Sequence, residues 1–217
     1  FFQFLMLTVG ILGKNFITWE RDGRRTHIFN PSAFGQFVFA VGLIATGTTY
    51  QMTMGREIAT TFEAPHMLLV IFVLGFIVQY LFHVTLMTFA AVATLAALNV
   101  AYTQLTGTYL FANINIAAPI FLGVHLLITD PATSPRTNVG KVIFGALYGL
   151  GYTVLFWALD LAESPLFWDK LLPVPILNLC VPLIDGFVRR GGFGWLNRMW
   201  ETALRPKALN LVHMGLW

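Results

Sequence analysis

The chain has 217 residues, 57% of them hydrophobic and only 11% charged, with a formal net charge of +3 and a mean hydropathy of +0.71. A soluble domain carries roughly a quarter charged residues, and so few charges could not cover the outside of one this size, so the composition excludes it in favour of an integral membrane protein. The single cysteine, Cys180, excludes a disulfide framework and a thiolate metal cluster.

A bilayer core takes about 20 apolar residues per helix. In chain order, the nearly uncharged segments 1–13, 33–54, 65–81, 84–106, 109–128, 142–159 and 171–188 predict an all-α polytopic fold of about seven transmembrane helices. The first segment opens at Phe1 and reads as clipped from a longer chain. The runs are continuous rather than alternating, which favours helices over a barrel. The third and fourth segments form one run too long for a single span, so it folds back near "YLFHV", with His83 in the turn.

Alternation then puts 14–32, 82–83, 129–141 and 189–217 on one side and 55–64, 107–108 and 160–170 on the other. The first side carries eleven of the 13 basic residues, from Lys14 and Arg21 to Arg205 and Lys207; the second carries Arg56 and Lys170. That bias places the first side in the cytoplasm. No aromatic-interleaved basic groove accompanies these charges, so nucleic acid is not an expected partner, and anionic lipid is. Residues 1–190 form the transmembrane domain, and 191–217, mixing Arg, Trp and Leu, read as an interfacial basic segment that could lead into a further span.

Two polar, proline-bearing breaks interrupt the apolar sequence. In "FNPSAFG", Asn30 suits a helix N-cap and Pro31 the first helical position. Ser32, Ala33 and Gly35 are small, so a second helix or a flat ligand can come close. In "ITDPATSPRTNVGK", Asp130 ends one span, and Thr133, Ser134, Thr137 and Asn138 precede the next, near Gly140. A capped, hydrated loop explains this; so does a site for a polyhydroxyl or phosphate chain. Asn30, Thr129 and Asp130 are expected to meet across the helix interface, because unpaired polar groups at a membrane helix end are costly.

Together these stretches resemble the membrane subunit shared by two redox-driven ion pumps: NqrB of the sodium-translocating NADH:quinone oxidoreductase and RnfD of the Rnf-type ferredoxin:NAD oxidoreductase. "IFNPSAFG" resembles that family's NP-containing helix start, "TDPATSPRTNVGKVIFGALYGLG" its TDP motif and following helix, and "ILNLCVPLIDGFVRR" its last span, with Asn178, Pro182 and Asp185 in place. The resemblance implies a bacterial inner-membrane subunit that binds flavin, FMN or riboflavin, and passes electrons, with ion transport, other membrane subunits and quinone as its setting. It implies a cofactor edge at Asn30, Pro31, Ser32, Thr129, Asp130, Thr133 and Ser134. The family's covalent FMN hangs from the threonine of a Ser/Thr-Gly-Ala-Thr motif. The nearest string here is "TGTT", Thr46 to Thr49, inside the second predicted span, with Thr48 in place of Ala and Thr49 as the flavin-bearing position; "REIATTFE", with Thr60 and Thr61, lacks the glycine. The chain is thus expected to be a divergent relative.

Other chemistry is sparse. His83 and His125 fall near the same face and are the one histidine pair that could hold a haem; no other metal set is visible. Asp185 is expected to pair with Arg189, one turn on. No hydrolase triad, Walker loop, NADH-binding or iron–sulfur motif is visible. The rival to an electron-transfer subunit is a non-redox scaffold or transporter subunit on the same fold.

Overall fold

The computed structural model describes residues 1–21, 23–49, 66–110, 118–163, 168, 170–191, 193–203 and 206–216. Helix α1 (Phe2–Phe16) leads into a hairpin, β1 (Thr18–Arg21) and β2 (Arg24–His27), and then α2 (Pro31–Thr46). α3 (His66–Phe82) and α4 (Thr85–Thr106) follow, then a short α5 (Ala118–Leu122) that widens into a π-turn over Gly123–Leu127. α6 (Asn138–Leu161), α7 (Pro173–Arg190), α8 (Gly194–Ala203) and α9 (Pro206–Leu216) complete the chain. A helix therefore lies in each of the seven apolar segments. Arg56, Thr60, Thr61, Asp169 and Arg205 lie outside the described residues.

By length and hydropathy, two of the described helices suffice to cross a membrane: α4, with 22 residues, and α6, with 24. At 1.5 Å per residue these measure roughly 33 and 36 Å, against about 30 Å of hydrocarbon. α1, α2 and α3 are apolar but shorter. The outward surface is apolar along most helices, with Phe4, Leu69, Val100, Val154 and Leu183 all exposed. Lipid tolerates such a surface and water does not.

The core lies between α4, α6, α7 and the π-turn, where Met87, Ala91, Val124, Phe144, Tyr148 and Val181 are buried together. Lipid is as apolar as leucine, so helices here are held by close packing rather than by escape from water. Gly145 makes that possible for α4 and α6: a Cβ there would strike the Met87 carbonyl oxygen. Gly35 does the same for α1 and α2, since its Cβ would meet the Met6 backbone. The small residues of "NPSAFG" thus admit a neighbouring helix, α1.

His83 does stand in the turn between α3 and α4, with φ of 54°. The Lys141 ammonium on α6 donates to its carbonyl at 2.8 Å. The Asn138 N–H meets Asn197 Oδ1 of α8 at 2.9 Å, and Asn210 Nδ2 of α9 meets the Gln79 carbonyl of α3 at 3.0 Å. The basic segments assigned to one face therefore do sit side by side.

One expectation changes. α2 ends at Thr46 with Gly47 in the left-handed region, φ 65°, so "TGTT" straddles a helix end instead of lying within a span. Lys170, in the segment assigned to the second side, is buried, with its ammonium 5.5 Å from the centre of the Tyr152 ring on α6.

Candidate functional site

The start of α2 is built by Asn30. Its side-chain oxygen accepts from the Ser32 and Ala33 N–H groups at 3.0 and 3.3 Å, and Pro31 follows at the first helical position, where a missing N–H costs nothing. The rest of Asn30 faces two other elements. Its side-chain Nδ2 donates to the Leu127 carbonyl at 2.9 Å, and its backbone N–H donates to Asn178 Oδ1 at 3.1 Å. Asn178, on α7 and 1% exposed, donates in turn to the Thr133 carbonyl at 3.0 Å. Through these two amides the NP break, the TDP break and the last long helix share one hydrogen-bonded junction.

Asp185, two turns further along α7 and 6% exposed, makes the second part of the junction. It backs the cap of α6: Thr137, whose hydroxyl accepts from the Gly140 N–H, donates to Asp185 Oδ1 from that hydroxyl at 3.1 Å and from its N–H at 3.4 Å, and the Arg136 N–H donates to both oxygens at 3.3 Å. Its ion-pair partner is Arg21 of the hairpin, Nη2 to Oδ2 at 2.5 Å, and Arg21 Nη1 also donates to the Ser134 carbonyl at 3.0 Å. The expected local pair with Arg189 is not formed. Arg189 is exposed, while Asp185 faces the N–H groups that lead into α6, where the guanidinium of Arg21 meets it. Burial pulls the Arg21 guanidinium below its ordinary pKa, and the Asp185 carboxylate works against that pull.

The TDP break closes the third side. Asp130 Oδ2 lies 3.1 Å from His27 Nε2 of the hairpin, and Asp130 Oδ1 accepts from the Ala132 N–H at 3.0 Å. Before it, the π-turn exposes carbonyls that need donors, and side chains supply them: Thr88 to Val124 at 3.3 Å, Thr129 to His125 at 2.9 Å and Asn30 to Leu127. Asn30, Thr129 and Asp130 do not pair with one another, and the two breaks are linked instead through Asn178. Asn30 reaches Leu127 and Asn178, Asp130 reaches His27, and Thr129 stays on its own helix. Thr133 and Ser134 are buried, and their backbone carbonyls tie the loop to Asn178 and Arg21.

The histidine pair is not assembled. His125 is buried beneath Gly75 of α3 and its Nδ1 sits 2.8 Å from the Phe121 carbonyl, whereas His83 lies eight residues beyond Gly75, roughly 12 Å along the helix axis. Among the described residues no group of three or more His, Cys, Asp or Glu could hold a metal.

The family model for the NQR2, RnfD, RnfE family matches residues 24–194, which contain all three motifs and the whole junction except Arg21. The chain belongs to this family. Its curated relatives include the RnfD subunit of the ion-translocating oxidoreductase complex of Escherichia fergusonii, 35% identical over 95 residues, which are 40% of this chain and 25% of that protein. The same subunit of Haemophilus influenzae strain PittEE is 33% identical over 104 residues, 48% of this chain and 26% of that protein. The matched stretch thus spans about a quarter of the length of these relatives. No solved structure matches the chain significantly.

As a flavin cradle, the NQR2, RnfD, RnfE motif residues have little to offer. The side-chain groups of Asn30, Thr129 and Asp130 are each engaged within the protein, as described above, and Thr49 is only 4% exposed. The Thr46 and Thr48 hydroxyls are exposed and 2.7 Å apart, bonded to each other. A phosphoester needs an accessible hydroxyl, and a ring edge needs donors left over. Asn30, Thr129 and Asp130 therefore have no side-chain group to spare for a flavin, Ser32 and the hydroxyls of Thr46 and Thr48 stay exposed, and no step is assigned through the group. Among the junction residues that sequence reading left out of the site are Arg21, His27, Asn178 and Asp185. Asn178 had a signal, an amide inside an apolar helix; the two hairpin residues were hidden among loop charges.

Proposed function

We propose that the chain is a multi-pass inner-membrane subunit of a bacterial electron-transfer complex, with seven helices crossing the bilayer and the basic face in the cytoplasm. The observation that carries the reading is that all three family motifs close on one buried junction, so the part of the sequence that matches the family is the part that fixes how its helices are joined. The complex would supply the reaction. The chain's own contribution is a rigid membrane frame on which redox partners assemble, and ion movement and a quinone partner belong to the same proposal.

Flavin, FMN or riboflavin, is proposed as the cofactor on the motif resemblance, with none of the described motif residues assigned to hold it. The test is the visible spectrum of the purified protein before and after acid precipitation. Flavin absorbance in the pellet means covalent attachment, and absorbance in the supernatant means reversible binding. A colourless protein that still co-purifies with a membrane complex supports the second reading, a non-redox scaffold or transporter subunit, which the engaged motif groups favour.

A further inference from the structure

The turn between α3 and α4, the start of α6 and helix α9 enclose a cavity of about 200 Å³. Its wall carries four basic side chains, His83, Arg136, Lys141 and His213, and no carboxylate among the described lining residues. Lys207 acts on His83 from nearby. Lys141 is tied to a neutral acceptor, the His83 carbonyl, and the carboxylate that acts on it, Asp185, is already held by Arg21. Arg136 and Lys141 supply the positive charge and the two imidazoles add ring N–H donors, and basic groups converging beside low-dielectric walls favour an anion.

Asn210 narrows the chemistry. It lines the cavity and is 3% exposed, with Nδ2 turned to the Gln79 carbonyl and to Met214 Sδ, so that Oδ1 is buried without a hydrogen-bond partner among the described residues. An unmet acceptor is costly, so a ligand here should bring a donor as well as a negative charge. The remaining wall is apolar, with Phe82, Leu86 and Leu209, and Phe82 continues to the exposed apolar surface of α3. An anion, a hydroxyl and an apolar exit belong to one class of molecule.

We infer that this cavity holds the headgroup of an acidic phospholipid of the phosphatidylglycerol type, its phosphate among the four basic side chains and a glycerol hydroxyl donating to Asn210 Oδ1. The inference needs the protein to lie in a membrane but not to transfer electrons. Soluble phosphate esters share the headgroup chemistry, so the test separates them.

The full chain in detergent is offered equal amounts of phosphatidylglycerol, phosphatidylmethanol and phosphatidylcholine, and bound lipid is read by native mass spectrometry. Phosphatidylglycerol is expected to be retained at least fivefold over phosphatidylcholine, and over phosphatidylmethanol, which has the charge without the hydroxyl. Lys141→Gln and His213→Gln should each lower retention severalfold, and Asn210→Leu should abolish the preference over phosphatidylmethanol alone. Millimolar glycerol 3-phosphate should not displace the lipid. Equal retention of phosphatidylglycerol and phosphatidylcholine by the unaltered chain overturns the proposal, whether or not the variants fold. Displacement by glycerol 3-phosphate overturns the lipid and gives the site to a soluble ester.

Discussion

Arg21 and Asp185 stand 164 residues apart in the chain and 2.5 Å apart in space. The hairpin that carries Arg21 lies outside the helices, and the helix that carries Asp185 is the last long one. Their pairing joins the two ends of the membrane domain. Breaking a buried pair by removing one partner strands the other charge. Arg21→Gln should therefore lower stability by about 2–3 kcal/mol, somewhat under the range for a fully buried pair. Asp185→Asn should cost more, because the carboxylate also holds Thr137, the cap of α6. Thermal unfolding in detergent measures both, and the double variant should fall well short of the sum.

Asn30 and Asn178 make a second test. Asn30→Ala removes an N-cap, worth about 1 kcal/mol, and leaves the Leu127 carbonyl without its donor for a further 1–3 kcal/mol. Asn178→Leu keeps the volume but strands the Asn30 N–H and the Thr133 carbonyl. Both should unfold at lower temperature. Asp130→Ala, which loses His27, should also destabilise, while Asp160→Ala on the exposed end of α6 should be neutral.

Helix approach can be probed at two glycines with opposite outcomes. Gly145→Ala drives a methyl into the Met87 carbonyl and should separate α4 from α6 with a large loss of folded yield. Gly186 on α7 has nothing within 4 Å of a built Cβ, so Gly186→Ala should be neutral or stabilise by about 0.5–1 kcal/mol. Size-exclusion profiles and melting temperatures of the isolated protein distinguish the two.

The proposed orientation is open to labelling. Ser134 is buried and cannot report, but Arg25 and Asp160 are exposed on opposite sides of the proposed topology. In a Cys180→Ser background, Arg25→Cys should resist an impermeant thiol reagent added to intact cells, and Asp160→Cys should react. The reverse pattern inverts the topology.

His83 gives a pH signature. Burial is the first cause lowering its pKa, and Lys141 and Lys207 add to it. The unfolded chain then binds this proton more readily than the folded one. The associated stability is complete above the unfolded value of about 6.5 and falls as pH drops below it, levelling off once the folded histidine also charges. His83→Asn keeps a residue that tolerates the left-handed turn and should lessen the dependence of melting temperature between pH 7 and 5, with His213, lowered by burial and by Lys141, contributing part of what remains.

Helix positions were legible because lipid imposes long apolar runs, and the His83 turn followed from a run too long for one span. The shared face was legible from basic residues alone. The hairpin was not read, although "TWERDGRRTH" holds its signal, an Asp-Gly pair between two short strands; the arginines there were counted as charge. The partner of Asp185 was misjudged because the i,i+4 rule is local, whereas a buried carboxylate goes where several donors converge. The π-turn has no sequence signature, so the carbonyl it offers to Asn30 could not be foreseen.

The junction also sets a timetable for synthesis. Asn30 leaves the ribosome 148 residues ahead of Asn178, the residue that receives its backbone N–H. At about 5–20 residues per second this leaves roughly 7–30 s in which α2 has its cap while the rest of the junction waits for α7. The Leu127 and Ser134 carbonyls are made before α7, so by the end of that interval the groups still left to water are the Asn30 backbone N–H and the Arg21 Nη2 that pairs with Asp185. A nascent chain stalled before α7 would thus be inserted but unlatched, with its polar helix ends wet and separable, the state a membrane protease or insertion chaperone can recognise.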